Sequence, residues 1–251
     1  MIVIPMAGMS SRFRNAGYKK PKYMLKAHGI TLFSHSVSSF KSYFNNEVFI
    51  FIVKDIDGSE FVKTEVKKLG ILHYHIILLE QTTRGQAESV YNGLKQLQEK
   101  IMISPTESLT IFNIDTIRCN FMYPKLHERG DGYLEVFSGE GDNWSFVKPV
   151  NNESTLVIET AEKKPISKLC CTGLYYFSRL QYFFEAYDLY ILTPKDSWDK
   201  GELYVAPLYN ILIAQKKEIH YHKINVGDVF FAGVPKEYED FCKIDYESFV
   251  G

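Results

Sequence analysis

Ile2-Val-Ile-Pro-Met-Ala-Gly8, running on into Met9-Ser-Ser-Arg-Phe13, decides the fold: a short unbroken apolar run stops at a glycine and opens into a polar loop. Such a run suits a strand buried on both faces of a parallel sheet, and the glycine lets the backbone turn and lie close to a ligand. Outward from it, Leu32 to Phe44 carries Phe33, Val37, Phe40, Tyr43 and Phe44 at helical spacing, and Val48 to Val53 is again continuously apolar. The opening is therefore strand, loop, helix, strand. The alternation continues with Phe61 to Leu69 as helix, Tyr74 to Leu79 as strand, Gly85 to Glu99 as helix and Leu109 to Ile114 as strand. Strands alternating with helices predict a parallel sheet with helices on both faces.

Past Asp115 the pattern changes. Tyr133 to Phe137, Ser145 to Lys148, Leu156 to Glu159 and Leu174 to Phe177 read as strands with little helix between them, which predicts an antiparallel or mixed extension. Helices are expected again at Ser178 to Tyr187, at Glu202 to Gln215 and after Pro235, with strands near Ile219 to His222 and Val229 to Ala232. No repeat or linker forces a boundary. The chain reads as one α/β domain, 1–251, whose pattern changes between a first half (1–118) and a second (119–251).

Composition narrows the function classes. The 251 residues suffice for a substantial core, and 29 Lys and Arg against 30 Asp and Glu leave a net charge of −1. No bulk attraction to nucleic acid or membrane is expected, so any phosphate binding must be local. The apolar start is too short for a signal segment and no run approaches the roughly 20 residues of a membrane span. Cys119, Cys170, Cys171 and Cys242 lack C-x-x-C spacing, and neighbouring Cys170 and Cys171 would face opposite sides of a strand, so a reduced cytoplasmic protein is the expectation. His73 with His75 and His220 with His222 share strand faces, but no third zinc ligand stands at usable spacing.

Ligands of open parallel sheets bind at the carboxyl ends of the strands, so the loops after the first, third and fourth strands are where chemistry is sought. After the first, loop N–H groups of Ala7, Gly8 and Met9 with Ser10 and Ser11 can cradle phosphate oxygens, Arg12 offers a fork of donors, and Lys22, set by Pro21, adds a point charge. There is neither G-K-[ST] nor G-x-G-x-x-G. After the third comes Glu80-Gln-Thr-Thr-Arg-Gly-Gln-Ala87, and after the fourth Phe112-Asn-Ile-Asp115, whose carboxylate can hold a divalent cation.

Together with Lys20-Pro-Lys-Tyr-Met-Leu25, the first loop resembles the G-x-G-[ST]-R and P-K signature of the nucleotidyltransferases typified by sugar-1-phosphate pyrophosphorylases and small-molecule cytidylyltransferases, with Ser10 where many members have the second glycine. The resemblance runs from Met1 to about Pro235 as an ordered series of motifs. It implies a Rossmann-like, mixed but mainly parallel sheet of the nucleotide-diphospho-sugar transferase type, and transfer of a nucleotidyl group from an NTP to a phosphorylated small molecule with release of pyrophosphate. It implies base reading by Gln81 and by the backbone at Gly85 and Gln86, and a metal aspartate at Asp115. Glu162-Lys163 and Gly173 of Thr172-Gly-Leu-Tyr-Tyr-Phe177 match its acceptor-binding pair. Arg12, Lys22 and Lys163 are thus the expected catalytic cations, Mg2+ (or Mn2+) the expected cofactor and CTP the favoured nucleotide. The family's second metal aspartate falls on Phe231 here, and Asp228 is the nearest acid that would replace it. A glycosyltransferase would want a D-x-D pair where Asn113-Ile-Asp115 supplies one carboxylate, and a regulatory domain without turnover would not need Arg12, Lys22, Asp115 and Lys163 together. Association into a homo-oligomer is left open by the sequence.

Overall fold

Apolar strand residues with period two sort onto opposite faces of a sheet, and this rule organises the protein. The computed structural model describes residues 1–245. β1 (Ile2–Pro5), β4 (Phe49–Val53), β5 (Tyr74–Leu78) and β6 (Leu109–Phe112) form the parallel centre, with β1 between β4 and β6 and β5 beyond β4. Val3, Ile50, Ile52 and Ile111 point into one core with α4 (Gln86–Gln98), α5 (Leu180–Tyr190) and α6 (Leu208–Ala214). Ile2, Ile4, Phe49, Phe51 and Phe112 point into the other, against α2 (Leu32–Ser38) and α3 (Ile56–Leu69).

The remaining strands extend that centre into a nine-stranded sheet. β11 (Leu169–Phe177) runs antiparallel to β6 and carries β8 (Gly132–Ser138) and β9 (Ser145–Pro149); β10 (Val157–Glu162) pairs with β9, and β12 (Ile219–Lys223) lies parallel to β8. The sequence reading of a mainly parallel sheet with an antiparallel extension and helices on both faces holds, and strands from both halves of the chain share one sheet. Cys170 and Cys171 do face opposite sides, each in a different core. No helix among the described residues is long and apolar enough to cross a membrane.

Some boundaries differ for physical reasons. The expected helix over 202–215 begins only at Leu208, because Leu203 is committed to backbone bonds with Arg84 and Ala87 and Pro207 sits at the helix N-cap. The helix from Leu32 stops at Ser38 and tightens into a 3-10 turn over Lys41–Tyr43. Two short pairings were not legible locally. β2 (Lys26–Ala27) pairs with β3 (Ile30–Thr31), and β7 (Thr116–Arg118) pairs antiparallel with the distant β13 (Val229–Phe231), which leads into α7 (Pro235–Phe241). Behind the first loop, Glu65 of α3 is buried and accepts from Thr31 Oγ1 at 2.7 Å, Ser34 Oγ at 2.8 Å and Lys68 Nζ at 2.6 Å, tying α3 to the start of α2.

Candidate active site

The carboxyl ends of β1, β5 and β6 open on one cleft, where a parallel sheet places its ligands. It has two lobes of about 680 and 630 Å³ that meet along a shared strip of Ser10, Ser11, Lys22, Gln86, Asn113, Asp115, Glu202 and Tyr204. Ala7, Gly8, Met9 and Ser11 from the first loop and Thr82 to Gln86 from the β5–α4 loop line the smaller lobe. Arg12, Glu162, Lys163 and Gly173 line the larger one with Ser145, Trp144 and Tyr175. Of the expected nucleotide residues, Ala7, Gly8, Met9 and Gly85 line the smaller lobe alone and Ser10, Ser11 and Gln86 line both, while the expected acceptor residues Glu162, Lys163 and Gly173 line the larger lobe alone.

Ser10 explains its own departure from the family's glycine. It takes φ 49° and ψ 34°, the left-handed conformation glycine favours, and its hydroxyl accepts from the Lys22 backbone N–H at 3.4 Å. Lys22 in turn places its ammonium 2.6 Å from Asp115 Oδ2, with both side chains 22% exposed. Burial alone would raise the Asp115 pKa, but the charge and hydrogen bond of Lys22, a backbone N–H and the charge of Arg12 outweigh it and hold the carboxyl below its ordinary value. At the end of β6, Asn113 accepts on Oδ1 from the Gln86 side-chain amide, and its backbone N–H donates to the Gly173 carbonyl at 3.1 Å. Gly173 interrupts the β11 register at φ 95°, and a Cβ there would lie 2.5 Å from Asn113 Nδ2 and 2.6 Å from its Cγ. A larger residue would collide with Asn113; the glycine's need is that space.

In the larger lobe, Glu162 at the end of β10 is buried and hydrogen-bonded to Ser145, whose hydroxyl meets that of Tyr175 at 3.2 Å. Burial raises the Glu162 pKa against the pull of Ser145 and Lys163. Lys163, held at φ 53°, donates to the Tyr204 hydroxyl, lies over that ring at 3.9 Å from its centroid, and stands 3.7 Å from Glu162. Desolvation lowers its pKa, with Glu162 opposing. An ammonium parked on an aromatic face and a carboxylate is a cation ready for a stronger anion.

A backbone clamp joins the two walls. Leu203 donates to the Arg84 carbonyl at 3.0 Å and accepts from the Ala87 N–H at 2.9 Å. A Cβ on Gly85 would sit 2.5 Å from the Leu203 nitrogen and closer to its carbonyl oxygen, so only glycine admits this approach. Arg84 is spent on Glu88 and lies 5.4 Å over Trp198. Glu202 and Tyr204, flanking Leu203, line both lobes.

Two sequence candidates fall elsewhere. Gln81 is exposed and outside the residues lining either lobe, the loop turning into the cleft only from Thr82. Asp228 likewise lines neither lobe: it lies in a 3-10 turn whose carbonyl accepts from Cys119 N at 2.9 Å and from Arg118. The second carboxylate beside Asp115 comes instead from Glu237 of α7. A Cβ on Gly233 would be 2.8 Å from Asp115 Oδ2 and 3.4 Å from Glu237 Oε2, while Gly233 N donates to that same Glu237 oxygen at 2.8 Å. Burial, with the charge of Asp115, raises the Glu237 pKa despite those backbone bonds. Its sequence signal was a glutamate three residues after Val234 in the first turn of a helix begun by Pro235, a capping position that says nothing about a site. Phe231, at the family's aspartate position, packs on Trp144 with ring centroids 4.6 Å apart.

The sheet thus carries a two-lobed cleft at its strand ends, and comparison with solved structures gives the class and the family. The nucleoside-diphosphate-sugar pyrophosphorylase of Vibrio cholerae RC9 is 54% identical, covering 97% of this chain and 100% of its own, with a TM-score of 0.93. This chain belongs to that nucleotidyltransferase family. The fold alone is shared with the inositol-1-phosphate CTP transferase of T. maritima (15% identity, 100% and 97% covered, TM-score 0.69). It is also shared with a UDP-glucose pyrophosphorylase bound to UDP-glucose (12% identity, 98% of each chain, TM-score 0.71). No protein-family model and no curated protein sequence matches the chain.

Proposed function

We propose that the protein transfers the cytidylyl group of CTP to a phosphorylated amino-acid amide, phosphoglutamine, releasing pyrophosphate, as a step of capsular polysaccharide (phosphoramidate) biosynthesis. The observation that carries the acceptor class is that Glu162 and Glu202 line the larger lobe with Lys163. An acceptor with both an ammonium and a phosphate meets complementary charges there, its ammonium at Glu162 and Glu202 and its phosphate at Lys163, which without substrate is paired with Glu162. CTP rests on the resemblance to the small-molecule cytidylyltransferases; the Thr82–Gly85 loop lines the smaller lobe, and its backbone donors and acceptors serve cytosine and thymine alike.

The acceptor phosphate oxygen attacks the α-phosphorus, the new O–P bond forms, and the bond to pyrophosphate breaks in line. Such chemistry needs position and charge neutralisation rather than a protein nucleophile. Ser10, Ser11 and the Gly8 backbone cradle the triphosphate, and Arg12 stabilises the departing pyrophosphate. Lys22 sits on the shared strip, where it neutralises charge at the transferred group, and Lys163 leaves Tyr204 to draw in the acceptor phosphate. The donor set fits Mg2+ or Mn2+: the larger lobe carries the hard oxygen donors Asp115, Glu162, Glu202 and Glu237 against Arg12, Lys22 and Lys163, where phosphates must bind. Asp115, with Glu237 beside it, would hold the ion, which supplies Lewis-acid neutralisation of the triphosphate when bound.

A second reading, a sugar-1-phosphate nucleotidyltransferase such as a glucose-1-phosphate thymidylyltransferase or cytidylyltransferase, is favoured by the name of the 54% identical relative. One screen separates them: enzyme and Mg2+ with CTP, UTP, dTTP, ATP or GTP and either phosphoglutamine or glucose-1-phosphate, reading pyrophosphate. Fastest release is expected with CTP and phosphoglutamine. Faster release with dTTP and glucose-1-phosphate overturns the first reading in favour of the second.

A further inference from the structure

An atom that leaves one substrate and joins another has to be reached from both, so the transferred phosphoryl group must pass the strip shared by the two lobes. On that strip Lys22 and Asp115 are spent on each other and the Gln86 amide donates to Asn113. Asn113 lines both lobes from the end of β6, two residues before Asp115. Its carboxamide is held from two sides. Gln86 occupies Oδ1, and the missing side chain of Gly173 leaves the space in which Nδ2 and Cγ sit, at 2.5 and 2.6 Å from where a Cβ would be. Gly173 lines the acceptor lobe, so the Nδ2 end of the amide lies toward that lobe. With Oδ1 taken as an acceptor, what the amide presents to substrate is its donor end.

We propose that Asn113 is a substrate-contacting residue whose Nδ2 donates to a non-bridging oxygen of the transferred α-phosphate, and that Gln86 is the positioning residue that fixes this donor. The inference rests on the nucleotidyltransferase reading and on neither choice of base or acceptor. Lys22 and Lys163 bring charge on long stems that must first leave Asp115 and Tyr204. Asn113 brings an uncharged donor on a short side chain already fixed before substrate arrives, the arrangement that stabilises charge in a transition state without reorganisation. Gln86 thereby acts through its side chain on Asn113, a role distinct from base reading by its backbone. The same contact explains why β11 breaks register at Gly173: the bulge makes room for the amide.

The test uses the fastest substrate pair from the screen and compares wild type with Asn113→Ala, Asn113→Asp, Gln86→Ala, Gln86→Glu and the Gln86→Ala/Asn113→Ala double variant. Asn113→Ala should lose about a hundredfold in kcat, the usual cost of one preorganised donor, while KM for each substrate stays within about threefold. Asn113→Asp, the same size but without the donor and with a negative charge, should lose at least as much. Gln86→Ala should lose roughly fivefold to tenfold in wild type and nothing further in the Asn113→Ala background, because its effect passes through Asn113. Gln86→Glu, which accepts where glutamine donates, should lose more than Gln86→Ala. An active wild type whose Asn113→Ala and Asn113→Asp variants each keep more than about a third of kcat refutes this inference alone. Multiplying effects in the double variant refute the role of Gln86. A wild type that transfers no nucleotidyl group with any pair refutes the functional reading and this inference with it. Circular dichroism checks that the variants are folded, and Asn113→Asp, isosteric in the same space, carries the test if alanine unfolds the site.

Discussion

Asp115→Asn removes one charge and almost no volume from the centre of the cleft. The carboxylate stands 2.6 Å from the Lys22 ammonium with each side chain 22% exposed. The substitution trades an ion pair for a hydrogen bond from the Lys22 ammonium to a neutral amide oxygen, a loss of roughly 1 kcal/mol of stability. Relief of the repulsion between Asp115 and Glu237 offsets part of that, and Glu237 remains to face Lys22. For a chain of 251 residues, melting should therefore fall by no more than about 2–4 °C. Turnover should suffer far more. If Asp115 holds the divalent ion against the triphosphate, its neutralisation should lower kcat at least about a hundredfold, or some 2.7 kcal/mol of transition-state stabilisation. Pyrophosphate release at saturating substrates and Mg2+, with a thermal melt of the same preparation, measures both quantities. Near wild-type turnover with normal melting would refute the assignment, and a melting loss above about 10 °C would place the defect in the fold instead.

Lys163→Ala should raise the acceptor KM at least about tenfold and leave nucleotide affinity unchanged, whereas Lys22→Ala should lower kcat with both substrates bound; collapse of nucleotide binding in Lys163→Ala, read by calorimetry, contradicts its placement at the acceptor. Gly85→Ala forces a Cβ into the Leu203 backbone and should cost about 1–3 kcal/mol, seen as a melting loss of roughly 2–10 °C with activity lost alongside; an unchanged melt would mean that the clamp yields freely. Burial opposes ionisation of Glu65, but hydrogen bonds from Lys68, Thr31 and Ser34 outweigh it, so its folded pKa lies below the ordinary value. A depressed pKa gives stability that is complete above the unfolded value and lost as pH falls through the folded one. Glu65→Gln should therefore destabilise at pH 7 and the gap to wild type should narrow below about pH 4, as followed by urea unfolding across pH; a gap constant with pH contradicts this.

The site was legible where function is written in contiguous residues at strand ends. The Gly8 to Arg12 loop, Lys22, Asp115, Glu162, Lys163 and Gly173 were read from local motifs, and the fold brings them around one cleft. Reading failed where position depends on distant chain. Glu237 reaches Asp115 only because β13 pairs with β7 and delivers α7 to the cleft, a pairing invisible in either short segment. Asp228, nearer in sequence to the family position, lies in the turn before that strand and is carried away from the cleft. Gln81 lost its role by a matter of residues, since the loop enters the lobe only at Thr82. Asn113 sat in plain view beside Asp115, but an amide carries no signature until Gln86 and Gly173 are seen to fix it. Helix periodicity over 202–215 misled because apolar residues at 203, 205 and 206 are buried as an irregular strap rather than as a helical face.

That strap has a consequence for how such an enzyme can change its diet. Its bond to the nucleotide loop runs through the main chain of Leu203, Arg84 and Ala87, so it does not depend on which side chains stand at either neighbour. Glu202 and Tyr204, which line both lobes, are therefore free to be exchanged while the link between the walls stays intact. A library that randomises 202 and 204 and leaves 85 and 203 alone should yield folded proteins with altered acceptor choice.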